Sequence, residues 1–282
     1  MLATAVSMSR SSVTAYYHLP LQHSLNQQQL PALSTTGHES NCQRMFLSSS
    51  HGSHGNDGSS EFILKKSQES DHPIIQRTLQ WLKGVVIGLN FCPFAERPLL
   101  QQQLRMEVIE GTDQVDILAR VLAECFLRQS QPGTSLMICP DLYPRNFPKY
   151  LEVYNMLQDG VLVQEDLTGD IQVAPFHPEF VFGKEGQEDD YSDDDGIENY
   201  TNRSPYPIFH ILREEEVAHA VDVLQGDDSK VWKRNIRLLQ LLEAKLSNEH
   251  LDQVLAGTVQ DNSELATKVK DILWQLKNKK NF

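Results

Sequence analysis

The chain has few cysteines and no close pair of them: Cys42, Cys92, Cys125 and Cys139 are scattered over 282 residues. Neither a zinc ribbon nor a disulfide framework can be built from that spacing, and a reducing compartment fits it best. No run approaches the ~18 consecutive apolar residues of a membrane span, so the sequence predicts a soluble protein. Clustered cations are missing as well, with 25 Lys and Arg against 38 Asp and Glu and a net charge of −13. Nucleic-acid binding needs cations that displace counterions from phosphates, so no nucleic-acid partner is expected. The Walker phosphate loop, the G-x-G-x-x-G fingerprint and the G-x-S-x-G elbow are all absent, which removes the commonest nucleotide-binding and serine-hydrolase explanations. No H-x-x-x-H or H-E-x-x-H element occurs. A metal held by His177, His210 and one acid has no spacing to support it, and no metal or cofactor is assigned.

The charge is unevenly placed. Residues 185–198 carry eight acids and no Lys or Arg, and the run does not fit an EF-hand: with Gly196 sixth, Tyr191 and Asn202 fall where carboxylates are required. Residues 1–60 are rich in Ser, Thr, Gln, His and Gly, and the first acid is Glu39. That composition reads as an organelle transit peptide, mitochondrial or other, or else as a disordered tail on a cytoplasmic protein.

Between and beyond these segments the periodicity is regular. A helix is expected from Pro73, capped by Asp71 or His72, with Trp81, Leu82, Val85 and Val86 on its apolar face. Gly88 and Asn90 end it before the turn Phe91-Cys92-Pro93-Phe94. Strands are expected at 104–109, 136–139, 171–176 and 208–212. Helices fill the gaps: one capped by Thr112 with Val115, Leu118, Leu122 and Phe126 inward, one over 147–158, and one after Glu214-Glu215-Glu216, acids that suit a helix N-terminus. Ser229 and Ser263 cap two more. The fold class is α/β, with α+β open: a small, mostly parallel or mixed four-stranded sheet covered by helices, one domain over 72–247, and a helical extension over 248–282.

The stretch from Asn199 to Glu214 mixes amide, hydroxyl, guanidinium, imidazole and carboxylate groups around Pro205 and Pro207 without helical or strand period. Such a composition suits a stiff loop that presents side chains. Arg203 and Arg213 can clamp a carboxylate or phosphate with bidentate forks, or pin the loop to carbonyls. His177 ends the third strand ahead of Pro178. His210 lies inside the fourth, on the face of Ile208 and Leu212, where it is either a core histidine or a functional one. Cys92 sits in a turn stiffened by Pro93, either as a reactive thiol or as a packed one.

Several ordered segments resemble an uncharacterised family catalogued as domain of unknown function 1415. They are Gly88 to Ala95, Gln172 to Pro178, Asn199 to Pro207 with His210 to Glu214, and Arg234-Asn235-Ile236. The resemblance spans residues 74 to about 245. It implies that Cys92, His177, Asn202, Arg203, His210, Arg213 and Glu214 belong to the family's motifs, and it implies no particular reaction. The chain departs from the family pattern at Phe91, where Leu is commoner, at Asn146, where an acid is expected, and in its enlarged acidic loop.

Two functions follow as expectations. In the first, the chain is an enzyme for a small anionic or carbonyl-containing metabolite, with Cys92 as nucleophile or redox thiol and His177 or His210 as general base. Asn202, Arg203, Arg213 and Glu214 then bind the ligand. In the second, the same groups lock a scaffold and the acidic run meets a basic partner. The first rests on Cys92, His177 and His210 converging on one hollow, whereas the second expects the thiol to be buried away from both histidines.

Overall fold

The computed structural model describes residues 71–182, 196–227 and 229–278. The N-terminal segment read as a transit peptide or tail, and the acidic insertion at 186–195, lie outside the described residues.

Pro73 opens α1 (Pro73–Trp81), where its missing N–H removes no helical hydrogen bond. His72 is the cap, accepting the Ile74 N–H on Nδ1 at 3.3 Å. Past Trp81 the helix widens into a π-turn, Leu82–Ile87. The chain then reverses through Asn90 at φ 56°, a left-handed conformation that Asn tolerates better than most residues. There follow α2 (Glu96–Leu100), β1 (Leu104–Val108), α3 (Gln114–Ser130) and β2 (Thr134–Ile138). Next is α4 (Phe147–Asn155), which loosens into a π-turn (Met156–Val161) and a last helical turn (Leu162–Gln164). β3 (Ile171–Phe176) leads, across residues 177–196, to a 3-10 turn (Ile197–Thr201) and β4 (Ile208–Arg213). Four helices complete the fold: α5 (Glu214–Val223), α6 (Ser229–Lys245), α7 (Asn248–Leu255) and α8 (Glu264–Asn278).

The sheet runs β1-β2-β4-β3 and is mixed. β1 and β2 pair in parallel, as a helical crossover requires, while β4 inserts antiparallel between β2 and β3. The first three strands therefore share a direction, but β3 is separated from the other two. Pro175 is tolerated because β3 is an edge strand, bonded on one side only.

Period-two alternation divides the core between two faces. Leu136, Ile138, Ala174, Phe176, Ile208 and Leu212 point toward α1, its π-turn and the C-terminal helices. Met137, Cys139, Ile171, Val173, Phe209 and Ile211 point toward α3 and α4. With both faces covered, β2 and β4 read as nearly continuous apolar runs. The C-terminal helices join the first face: Leu251, Val254, Leu265 and Ile272 belong to the same core as Trp81 and Val85. Contact there is close, since a Cβ on Gly84 would lie 2.9 Å from the Gly257 Cα.

α3 corrects two expectations. Its cap is Asp113, which accepts the N–H groups of Val115 and Asp116, rather than Thr112. Its buried stripe is Ile117, Val121, Glu124, Cys125 and Arg128, whereas Val115 is 78% and Phe126 42% exposed. Buried charge turns the helix. Glu124 accepts the Ser135 hydroxyl at 2.5 Å and pairs with Arg105 at 3.1 Å and Arg128 at 3.3 Å. That carboxylate needs every one of these partners once it leaves water.

Candidate functional site

Three consecutive carbonyls lead into Cys92, and α6 binds them all. Arg234 Nη1 donates to Leu89 O at 2.7 Å and Asn90 O at 3.0 Å, and Asn235 Nδ2 donates to Phe91 O at 2.8 Å. The turn after a widened helix leaves these carbonyls without intrahelical donors, and a partner 144 residues away supplies them. Burial holds the Arg234 pKa below its usual range. Cys92 itself is 2% exposed and packs in the first core.

His210 occupies the same face of the sheet, 3% exposed. Thr134 Oγ1 donates its one proton to Ile211 O at 2.7 Å, so the 2.7 Å contact between Thr134 Oγ1 and His210 Nε2 requires the ring to donate. The proton is thereby placed on Nε2. Nδ1 is left as a bare acceptor, buried and without a hydrogen-bond partner among the described residues. Burial pushes the ring's pKa down to about 3, so it is neutral at physiological pH.

Cys92, Thr134 and His210 line one small cavity, walled by Leu82, Phe94, Leu104 and Leu212 and bordered by Glu216. Its volume of about 30 Å³ accommodates a water molecule or the reactive end of a ligand rather than a whole metabolite. The Glu216 carboxylate accepts the Gly133 N–H at 3.0 Å and lies 3.6 Å from Arg213.

His177 is elsewhere. Alternation carries it to the opposite face of the sheet, between Phe147 and Tyr150, with ring centroids 5.3 and 5.1 Å away. Its Nε2–H donates to Tyr143 O at 3.0 Å, and its Nδ1 accepts the Glu179 N–H at 3.0 Å. Both nitrogens are used, and burial lowers the pKa to about 4 against the opposing effect of the Tyr143 bond. The backbone of His177 also bonds Asn202 O at 3.3 Å and Ser204 N at 3.4 Å, tying the end of β3 to the loop before β4. The expected meeting of the thiol with both imidazoles therefore takes in His210 and leaves His177 out, because residues 177 and 210 fall on opposite sides of the pleat.

The polar residues before β4 mostly hold that loop. Asn202 is fully buried, donating to Pro175 O at 3.4 Å and accepting the Thr201 hydroxyl at 3.1 Å. The Arg203 guanidinium lies 4.5 Å from the Tyr200 ring centroid and donates to Phe180 O at 3.3 Å. Arg213 pairs with Glu215 at 3.0 Å and with Glu216. Glu214 is half-buried and gives its backbone N–H to Asp170 O at 2.9 Å. Asn146, where the family pattern has an acid, caps α4 by accepting the Lys149 N–H at 3.1 Å, a task either side chain performs.

Thr134, Glu216, Arg234 and Asn235 complete this region; from sequence Glu216 was read only as a helix N-terminal acid and Arg234 and Asn235 only as part of a family segment, and none was placed in the site. One signal was available for Asn235. It follows Val231 and precedes Leu239 at four-residue spacing, so it occupies the apolar stripe of α6 and needs a buried partner. Two other thiols are poor candidates for reactivity, because burial pushes both Cys125 and Cys139 up to about 12. Among the described residues no group of three or more His, Cys, Asp or Glu is placed to hold a metal ion, and no helix is long and apolar enough to cross a membrane.

Comparison with known proteins returns one family, described as Protein of unknown function (DUF1415), matched over residues 73–249. No curated protein and no solved structure matches the chain.

Proposed function

We propose that this chain, which belongs to the DUF1415 family, is an enzyme acting on a small carbonyl-containing compound, with Cys92 as nucleophile and His210 as its proton acceptor. One observation carries the reading: a buried imidazole with a bare Nδ1 lines the same cavity as a thiol. An unpartnered buried acceptor costs about 1–3 kcal/mol, and such a cost is commonly retained where a ligand completes the bond. The sulfur attacks the carbonyl carbon, the carbonyl π pair moves to oxygen, and the thiol proton passes to Nδ1 and on to that oxygen. A ring with a pKa near 3 carries no proton beforehand, so proton transfer accompanies attack. Arg203 and Arg213 do not line the cavity, and the anion clamp plays no part in this proposal. The acid-poor N-terminus supports a companion proposal of delivery to an organelle, checked by sequencing the N-terminus of the imported protein.

The test is native-state alkylation by iodoacetamide, with each site read by mass spectrometry. Cys92 is expected to react in the folded protein while Cys125 and Cys139 do not, and Cys92→Ser to abolish the modification. If Cys92 reacts only as fast as the whole domain unfolds, the enzyme reading fails and a scaffold role, with Cys92 as a packed thiol, takes its place.

A further inference from the structure

The same cavity carries information about what it admits, and the inference below rests on the reading of Cys92 and His210 as a reactive pair. Two hydrogen bonds determine the tautomer: Thr134 spends its proton on Ile211 O, so His210 donates from Nε2 and presents a lone pair on Nδ1. A lone pair accepts, and it is satisfied only by a donor. The hydroxyl of Thr134 is already committed at both ends, so it offers the cavity no further proton. The walls are otherwise apolar, and among the described residues Glu216 is the one charged side chain lining the cavity, its partner Arg213 lying 3.6 Å behind it and outside the lining. A carboxylate entering it would lose its hydration, meet the Glu216 charge and find an acceptor where it needs a donor.

We infer that the cavity selects small neutral ligands whose carbonyl group stands beside an N–H or O–H donor, and that it rejects carboxylates of the same size. The neighbouring donor bonds His210 Nδ1 as the ligand enters, and it yields that lone pair to the thiol proton when the Cys92 sulfur attacks the carbonyl carbon. A primary carboxamide is the smallest group with both features. An ester of the same shape supplies the carbonyl alone and leaves Nδ1 unpaired.

Three haloacetyl probes separate these cases, because they deliver the same alkylating carbon with different neighbours: iodoacetamide (neutral, donor), methyl iodoacetate (neutral, no donor) and iodoacetate (anion). Each rate at Cys92 is divided by the rate of the same reagent on free cysteine. The normalised rate is expected to be highest for iodoacetamide, several-fold lower for methyl iodoacetate and lowest for iodoacetate, at least about tenfold below the amide, the factor that corresponds to one lost charge-free hydrogen bond. His210→Leu should remove the advantage of the amide over the ester and leave the exclusion of the anion, which the apolar walls and Glu216 impose. Should that variant fail to fold, protection of the unmodified protein decides the matter: acetamide is expected to slow labelling of Cys92 and acetate is not. Equal normalised rates for all three reagents, or equal protection by acetate, would overturn the selectivity while leaving the thiol reactive. Failure of every reagent to reach Cys92 in the folded protein would overturn the underlying reading along with it.

Discussion

His177 and His210 are both enclosed and both neutral, the first just past the end of the edge strand β3 and the second inside β4, yet the two rings are kept in opposite ways. On the α3 and α4 face, His177 uses each ring nitrogen and stacks between two aromatic rings. On the other face, His210 uses one nitrogen, has no hydrogen-bond partner for the second among the described residues, and lines a cavity together with a thiol. Burial alone does not tell a structural histidine from a functional one. The partner count of each nitrogen separates these two rings, because an enclosed polar atom left without a partner is a cost that the fold has not removed.

The largest effect is expected where the partners are complete. His177→Ala should destabilise the domain by about 3–5 kcal/mol, since it deletes a packed ring and leaves a carbonyl and an N–H unmet. Urea unfolding with an unchanged slope checks it, and a cost near 1 kcal/mol would break the contrast. Acidification comes next. Each ring takes a proton near pH 6.5 in the unfolded chain but only near 4 (His177) or 3 (His210) in the folded one. Between those values the unfolded chain binds more protons, so stability present at pH 7 declines as pH falls from about 6.5 through about 4, by on the order of 3 kcal/mol for each ring. Unfolding midpoints measured across that window should flatten in His177→Phe, which keeps the stacking and removes the titration.

Asn235→Ala sharpens the other side of the comparison. It strands the Phe91 carbonyl in the core at a cost of about 1–3 kcal/mol, and it should raise the alkylation rate of Cys92 by loosening the turn. A variant that lost the stability without changing the labelling would show that the clamp supports the fold and not the thiol. The smallest effect belongs to Asn146→Asp, within about 0.5 kcal/mol by thermal melting, because Asn and Asp cap a helix equally well.

Much of the architecture was readable along the chain. Pro73 marked a helix start, Ser263 caps α8 by accepting the Ala266 N–H at 3.0 Å as its position suggested, and all four strands were found within two residues of their ends. Local rules suffice for these because each depends on a few neighbouring residues. α3 resisted for the opposite reason: its apolar residues allow more than one inward face, and Glu124 chooses by pairing with Arg105 and Arg128 and accepting from Ser135. The mixed order of the sheet resisted too, since nothing near β4 states that it will enter between β2 and β3.

For the candidate site the division is sharper. Residue types and spacing were enough to single out Cys92, His177 and His210, and to place His210 on the face of Ile208 and Leu212, because strand alternation is a property of the backbone. Which imidazole would share a cavity with the thiol, which arginine was already occupied, and which ring nitrogen would be left bare were settled by contacts between segments up to 145 residues apart. Such contacts depend on strand order, on the side of the pleat and on a single hydroxyl proton at Thr134. None of these is a property of any short stretch of chain.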